Sequence, residues 1–268
     1  MRLFDAHCHL QDERLAPHLD AALARARAAG IERFMSCGSS EEDWPAVAAL
    51  AERHEGVVPS FGLHPWYVKD RSENWKQTLH GFLDKHNGAV GEAGLDHGID
   101  DRDDAEQEEV FIAQLGMARE LSLPVSIHCR RAWGRMIGVL QEFGRHDPGL
   151  VFHAFSGAPD VVDELTALGG YFSFCGTVAR SNNKRGHRAA AAIPLDRLLI
   201  ETDSPDLPPP HPDLPPVEVV DGKPVNEPAN LPCVLRAIAE IRGITEEEVA
   251  HATWTNATRV FGTEGESK

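Results

Sequence analysis

Much that would redirect the reading is missing from this chain of 268 residues. It has no Cys-x-x-Cys pair, and its five cysteines, Cys8, Cys37, Cys129, Cys175 and Cys233, are odd in number. That argues against a disulfide framework and for reduced, buried thiols. No apolar run is long enough to cross a bilayer. The first residues, MRLFDAHCHL, lack the basic and apolar regions of a secretory leader, so the expected compartment is the cytoplasm. Positive charge is also short: 26 Lys and Arg against 42 Asp and Glu give −16. Such a balance excludes general electrostatic attraction to nucleic acid, so any phosphate has to be captured locally. No internal repeat is visible, and nothing calls for an obligate protein partner.

What remains is an ordinary globular composition, 42% hydrophobic and 25% charged. The length suits an α/β barrel, which uses about 250 residues as one domain. Short β-rich apolar runs alternate eight times with Ala-, Leu-, Glu- and Arg-rich stretches, the pattern of a (β/α)8 TIM barrel. The predicted strands are residues 2–6, 31–37, 57–63, 89–95, 124–128, 150–153, 171–175 and 198–202. Among the helices, 15–29 ends on Gly30 as a C-cap, and 104–121 carries an amphipathic face. Residues 204–228 hold nine of the 18 prolines and read as a stiff irregular loop. Two helices, 230–242 and 245–261, then close the ring from outside, the second starting on a Thr245-x-x-Glu248 capping box. One barrel domain is expected over 1–262, with 263–268 a solvated tail.

Metal-type side chains stand where these strands end: His7, His9, Glu92, His128, His153 and Asp203. His7 and His9 flank Cys8 on an extended segment, and a period of two sends both imidazoles to one face while Cys8 turns away. By the same alternation Cys129 turns away from His128. Glu92 lies in Val90-Gly91-Glu92-Ala93-Gly94, where glycines leave backbone room and a buried carboxylate needs a cation. Its two oxygens can each take one ion. His128 and His153 interrupt two apolar strands at equivalent positions and read as a second ligand pair. Asp203 ends the eighth strand, where a carboxylate can hold metal and accept a proton from water.

Further out, His64 ends the third strand before Pro65 and faces the site or a phosphate, and Asp96 orients a ligand, contacts substrate or caps the next loop. Four neutral imidazoles and two carboxylates carry −2 against +4 from two divalent ions, so the pocket stays positive inside an acidic chain. Arg130, Arg180, Lys184 and Arg185 follow the fifth and seventh strands, and no acidic residue falls between Gly176 and Leu195. Barrels of this kind often bind phosphate after strands seven and eight. Imidazole and carboxylate ligands suit Zn or Mn, and an oxygen-rich surround admits Mg.

Six motifs together resemble the TatD family of metal-dependent deoxyribonucleases: the His7-x-His9 start, Gly91-Glu92-x-Gly94-Leu95-Asp96, Ile127-His128-x-Arg130, His153-x-Phe155-Ser156-Gly157, Glu201-Thr202-Asp203-Ser204-Pro205 and Asn226-Glu227-Pro228-x-Asn230. The likeness runs over nearly the whole chain. It implies His7, His9 and Asp203 on one ion, His128 and His153 on another, and Glu92 between them. It also implies cleavage of nucleic-acid phosphodiesters with a divalent ion. The chain departs from the pattern at Asp206, where many family members carry tyrosine, and the added negative charge there bears on substrate preference.

The leading expectation is therefore a nuclease with two divalent ions, acting on single-stranded or end-accessible DNA, with Asp203 and Glu92 as its catalytic carboxylates. A second reading is ester or amide hydrolysis at the same centre, such as release of a misattached amino acid from tRNA by a D-aminoacyl-tRNA deacylase. The bridging position argues against it, since many amide and ester hydrolases use a lysine where this chain offers Glu92. A third is a non-catalytic metal-binding scaffold.

Overall fold

The computed structural model describes residues 1–210, 219–220 and 223–262. The predicted tail at 263–268 lies outside the described residues, as do 211–218 and 221–222 of the proline-rich loop. Eight parallel strands pair in chain order: β1 (Leu3–Cys8), β2 (Ile31–Cys37), β3 (Val57–Phe61), β4 (Ala89–Asp96), β5 (Val125–Arg130), β6 (Leu150–Phe152), β7 (Gly170–Phe174) and β8 (Leu198–Ile200). Seven helices fill the crossovers: α1 (Leu19–Ala28), α2 (Trp44–Arg53), α3 (Trp75–Lys85), α4 (Asp104–Leu121), α5 (Trp133–Phe143), α6 (Val162–Ala167) and α7 (Lys184–Ala192). The ring closes between its last and first strands through single bonds. The Asp203 amide donates to the His7 carbonyl at 2.9 Å, and the His9 amide to the Ser204 carbonyl at 2.7 Å. The buried Asp5 carboxylate accepts from the Thr202 amide and hydroxyl at 2.8 and 2.5 Å. These bonds bring the first and last predicted ligands side by side.

Local signals account for the helix ends. Asp103 caps α4 by accepting from the Glu106 amide, and Ser122 closes it in the left-handed region. The Thr245/Glu248 capping box is formed at the start of α9 (Glu246–Phe261). The helix predicted at 15–29 instead opens with a 3-10 turn, Ala16–His18, and α1 is capped at Ala29, one residue before Gly30. Strand ends shift for two reasons. β5 runs on to Arg130 because its ladder with β4 continues to the Asp96/Arg130 pair. β6 and β8 stop early because Ala154 and Asp203, at φ of 42° and 55°, turn the chain out of the ladder.

Two departures affect the ends of the barrel. The loop at 204–228 is not wholly irregular, since β9 (Val219–Val220) and β10 (Lys223–Pro224) pair antiparallel within it. After α8 (Leu231–Arg242), α9 does not simply lie outside the ring. Its Val260 and Phe261 join one apolar cluster with Phe4, Val58, Val151 and Leu199, residues near the starts of four strands. Phe261 packs on Phe4 with ring centroids 5.7 Å apart. α9 therefore closes the N-terminal end, leaving the opposite end for chemistry. The larger core lies between strands and helices, with Trp44, Phe61, Phe111 and Phe152 fully buried. Among the described residues no helix is long and apolar enough to cross a membrane.

Candidate metal centre

At the C-terminal mouth five imidazoles converge on the one carboxylate of Glu92, which is 3% exposed. Its Oε2 lies 3.3 Å from His7 Nε2 and 3.5 Å from His9 Nε2. Its Oε1 lies 2.8 Å from His153 Nε2, 2.9 Å from His128 Nδ1 and 3.3 Å from His64 Nε2. Asp203 Oδ1 faces both His7 and His9 at 3.7 Å. All six ligand candidates thus meet, with His7, His9 and Asp203 toward Glu92 Oε2, His128 and His153 toward Oε1, and the His7 and His153 rings stacked between them at 4.0 Å.

β4 reaches this position because two of its glycines cannot carry side chains. A Cβ on Gly94, at φ 153°, would stand 1.9 Å from the His128 carbonyl oxygen, and one on Gly91 2.6 Å from the Ser126 carbonyl oxygen. Without side chains there, β4 and β5 approach closely enough for Glu92 and His128 to touch.

The candidate rings are held by their far nitrogens. His9 Nδ1 lies 2.8 Å from the Cys37 carbonyl and His7 Nδ1 3.1 Å from the Ser126 hydroxyl. His128 Nε2 lies 3.2 Å from Asp96 Oδ2, which also accepts from Trp66 Nε1 at 2.7 Å. Asp96 caps its loop as well, accepting from the Gly98 amide at 2.7 Å. His64 accepts from the Trp66 amide at 3.1 Å, so it serves the turn and the cluster together. Sequence reasoning singled out neither Ser126, Trp66 nor Glu201. Glu201 is wholly buried, accepts from the Ala154 amide at 2.6 Å and has Oε1 3.7 Å from His153 Nδ1. Its signal was its place two residues before Asp203, inside the Glu201-Thr202-Asp203 motif.

The electrostatics split the five imidazoles: against the effect of burial, the carboxylates beside them raise His9, His128 and His153, whereas burial lowers His7 and His64. Burial pushes His7 and His64 down to about 4, so both are neutral near pH 7, the form in which an imidazole ligates metal. His9 is pushed up to about 9; burial opposes this, but Asp203 and Glu92 outweigh it. Glu92 is held well below the usual carboxylate range, its burial overcome by His153, His64 and His7. Ring nitrogens also face one another, His7 Nε2 to His9 Nε2 at 3.3 Å and His128 Nδ1 to His153 Nε2 at 3.2 Å. Ring nitrogens gathered around one carboxylate become a donor set for divalent ions once their protons leave. Three overlapping groups have ligand atoms within 4.8 Å of one another: His7, His9 and Glu92; His7, His153 and Asp203; and His64, Glu92 and His128.

Of the basic residues, Arg130 joins the cluster, its Nη1 3.7 Å from Asp96 Oδ2. Arg180 and the α7 residues Lys184 and Arg185 are exposed after β7 at the same end. Asn183 caps α7 by accepting from the Gly186 amide. All five cysteines are free and buried, and Cys8 packs in the core, away from the imidazoles on either side of it.

Known proteins are similar to this chain over nearly its full length. The chain is 36% identical to the 3'-5' ssDNA/RNA exonuclease TatD of Cronobacter sakazakii over 97% of each protein. It is 35% identical to the uncharacterized metal-dependent hydrolase YabD of Bacillus subtilis, over 97% of this chain and 98% of that one. The crystal structure of YJJV, a TatD homologue from Escherichia coli K12, superposes with a TM-score of 0.87 at 29% identity, covering 98% of both chains. The sequence profile described as TatD related DNase matches residues 4–262, from β1 through the end of α9. With that match spanning the barrel and its mouth, the chain belongs to the TatD family of metal-dependent hydrolases.

Proposed function

We propose that this hydrolase is a nuclease that cleaves phosphodiester bonds of single-stranded or end-accessible DNA at a centre of two divalent ions. The observation that carries the reading is Glu92, one carboxylate oxygen facing His7 and His9 and the other facing His128 and His153. We assign His7, His9 and Asp203 to one ion, His128 and His153 to the other, and Glu92 to both. Mg, Mn and Zn all fit a set of imidazoles and carboxylates. Two such ions, when bound, stabilise negative charge on phosphate oxygens and lower the pKa of bound water.

The chain's own groups do the rest. Asp203 is 7% exposed, placed to accept a proton from water at the pocket. Arg130, its side chain about half exposed beside Asp96, offers a guanidinium to a phosphate oxygen. Arg180, Lys184 and Arg185 extend positive charge along the rim, drawing in a strand that the acidic chain would otherwise repel. The exonuclease activity named for the Cronobacter relative supports a nucleic-acid substrate with an accessible end.

A substrate screen tests the proposal. Protein supplied with Mg, Mn or Zn is assayed on single-stranded DNA, duplex DNA, RNA, a phosphodiester dye and an aminoacyl ester. Turnover of single-stranded DNA above the others is expected. Turnover of the aminoacyl ester with no cleavage of nucleic acid would overturn the nuclease reading in favour of deacylation. No hydrolysis with no retained metal would reduce the centre to a scaffold.

A further inference from the structure

We propose that the indole of Trp66 is a stacking platform for a nucleobase of the bound strand, an inference that rests on the nuclease reading above. Trp66 follows β3 in the turn Pro65–Asp70 and is fixed at three points. Its amide donates to His64 Nδ1 at 3.1 Å, and its Nε1 to Asp96 Oδ2 at 2.7 Å. Its ring meets the His64 imidazole edge to face, centroids 5.0 Å apart at 87°. His64 and Asp96 in turn touch the metal cluster, at Glu92 Oε1 and His128 Nε2.

A side chain this firmly held is nevertheless 51% exposed, and its neighbour Tyr67 is 39% exposed. Among the described residues these are the only aromatics with such large exposed surface, and they stand together at the mouth. Water is a poor partner for a rigid indole. A planar ligand that covers it loses little entropy, because the ring is already ordered.

The identity of the ligand follows from how Trp66 is anchored. Its single N–H is committed to Asp96, so the ring offers a π-face and no free donor. Such a face accepts purines and pyrimidines alike and reads no base edge. The same Asp96 Oδ2 lies 3.7 Å from Arg130 Nη1. One carboxylate therefore fixes an aromatic platform and a phosphate-binding cation as neighbours, beside the cleavage centre. A base joined to a phosphate is the chemical unit that occupies both.

The test is binding of a fluorescent, single-stranded phosphorothioate oligodeoxynucleotide to the full-length protein, followed by anisotropy and by quenching of tryptophan emission. Trp66→Ala is expected to weaken binding about ten-fold or more, and Trp66→Phe, which keeps the π-face but not the donor, to stay within about three-fold of the unsubstituted protein. An oligomer of abasic nucleotides should bind the unsubstituted protein and Trp66→Ala equally. If Trp66→Phe binds as weakly as Trp66→Ala, the residue acts by positioning Asp96 and the proposal fails. It also fails if Trp66→Ala binds like the unsubstituted protein while DNA is still cleaved, which leaves the nuclease reading intact. A protein that hydrolyses aminoacyl esters and binds no oligonucleotide would overturn both.

Discussion

Arg14 holds the carboxylate of Asp206 at both oxygens, Nη1 to Oδ1 at 3.0 Å and Nη2 to Oδ2 at 2.8 Å. It also grips Asp12 through Nε at 2.9 Å and Nη2 at 2.8 Å. The Asp206 amide donates to the Asp203 carbonyl at 2.8 Å, so the ion pair ties the loop after β1 to the turn that presents Asp203. Asp206 therefore adds a paired charge to the mouth, not a bare one.

Removing the cation should expose that charge to the substrate. Arg14→Ala leaves Asp12 and Asp206 unpaired at the mouth and is expected to raise KM for an oligonucleotide about three- to ten-fold, most strongly at low salt. Adding Asp206→Ala should restore most of the loss. Steady-state kinetics of the two single variants and the double variant give the coupling; a rise in KM from Asp206→Ala alone, as large as that from Arg14→Ala, would show that the pair acts by shaping the loop.

Glu92→Gln replaces a carboxylate having two equivalent oxygens with an amide having one, and so breaks the join between the two halves of the cluster. We expect kcat to fall by about a hundred-fold or more, in line with the several kcal/mol that metal stabilisation of transition-state charge supplies. Elemental analysis should show fewer ions retained per chain, and the rise in Tm that divalent metal gives the unsubstituted protein should shrink. Full activity in this variant would refute the bridging role.

The residues of the cluster were legible because each carries a local signal. His7 and His9 follow from a two-residue period at a strand end, Glu92 from the glycines around it, and His128 and His153 from single imidazoles ending apolar strands. What supports them was not, because it depends on contacts between distant parts of the chain. Ser126 meets His7 across 119 positions, and Trp66 meets Asp96 across 30. Nor does the sequence tell the α9 residues Val260 and Phe261, which plug the barrel, from the apolar face of any helix packed outside it. Strand order was readable from the alternation of elements, whereas strand ends depend on left-handed residues such as Ala154, which no side chain announces.

Gly94→Ala tests how tightly β4 and β5 are fitted. The new Cβ would meet the His128 carbonyl oxygen at 1.9 Å, on backbone whose φ of 153° already disfavours a side chain. Neither strand can move alone, since both are buried and paired on each side. A destabilisation of about 3 kcal/mol or more is expected, visible as a lower urea midpoint. Gly81→Ala is the control: a Cβ there meets nothing within 4 Å, and α3 should be slightly stabilised. Equal midpoints for the two variants would contradict the close fit.

Glu201 separates positioning from ligation. Its Oε1 accepts from the Ala154 amide at 2.6 Å, fixing the left-handed turn that follows His153, and the same oxygen lies 3.7 Å from His153 Nδ1. Glu201→Gln keeps an oxygen for the amide but removes the negative charge behind the imidazole, which makes His153 a weaker base toward a cation. Metal affinity measured by titration is expected to drop about ten- to a hundred-fold, the range found when partners of ligating histidines are replaced. Glu201→Ala should lose the turn as well and lower Tm, since the half-buried Ala154 amide is left without its acceptor. If Glu201→Gln binds metal as the unsubstituted protein does while Glu201→Ala does not, the residue serves the turn alone. If both lose affinity while only Glu201→Ala loses Tm, its charge tunes His153.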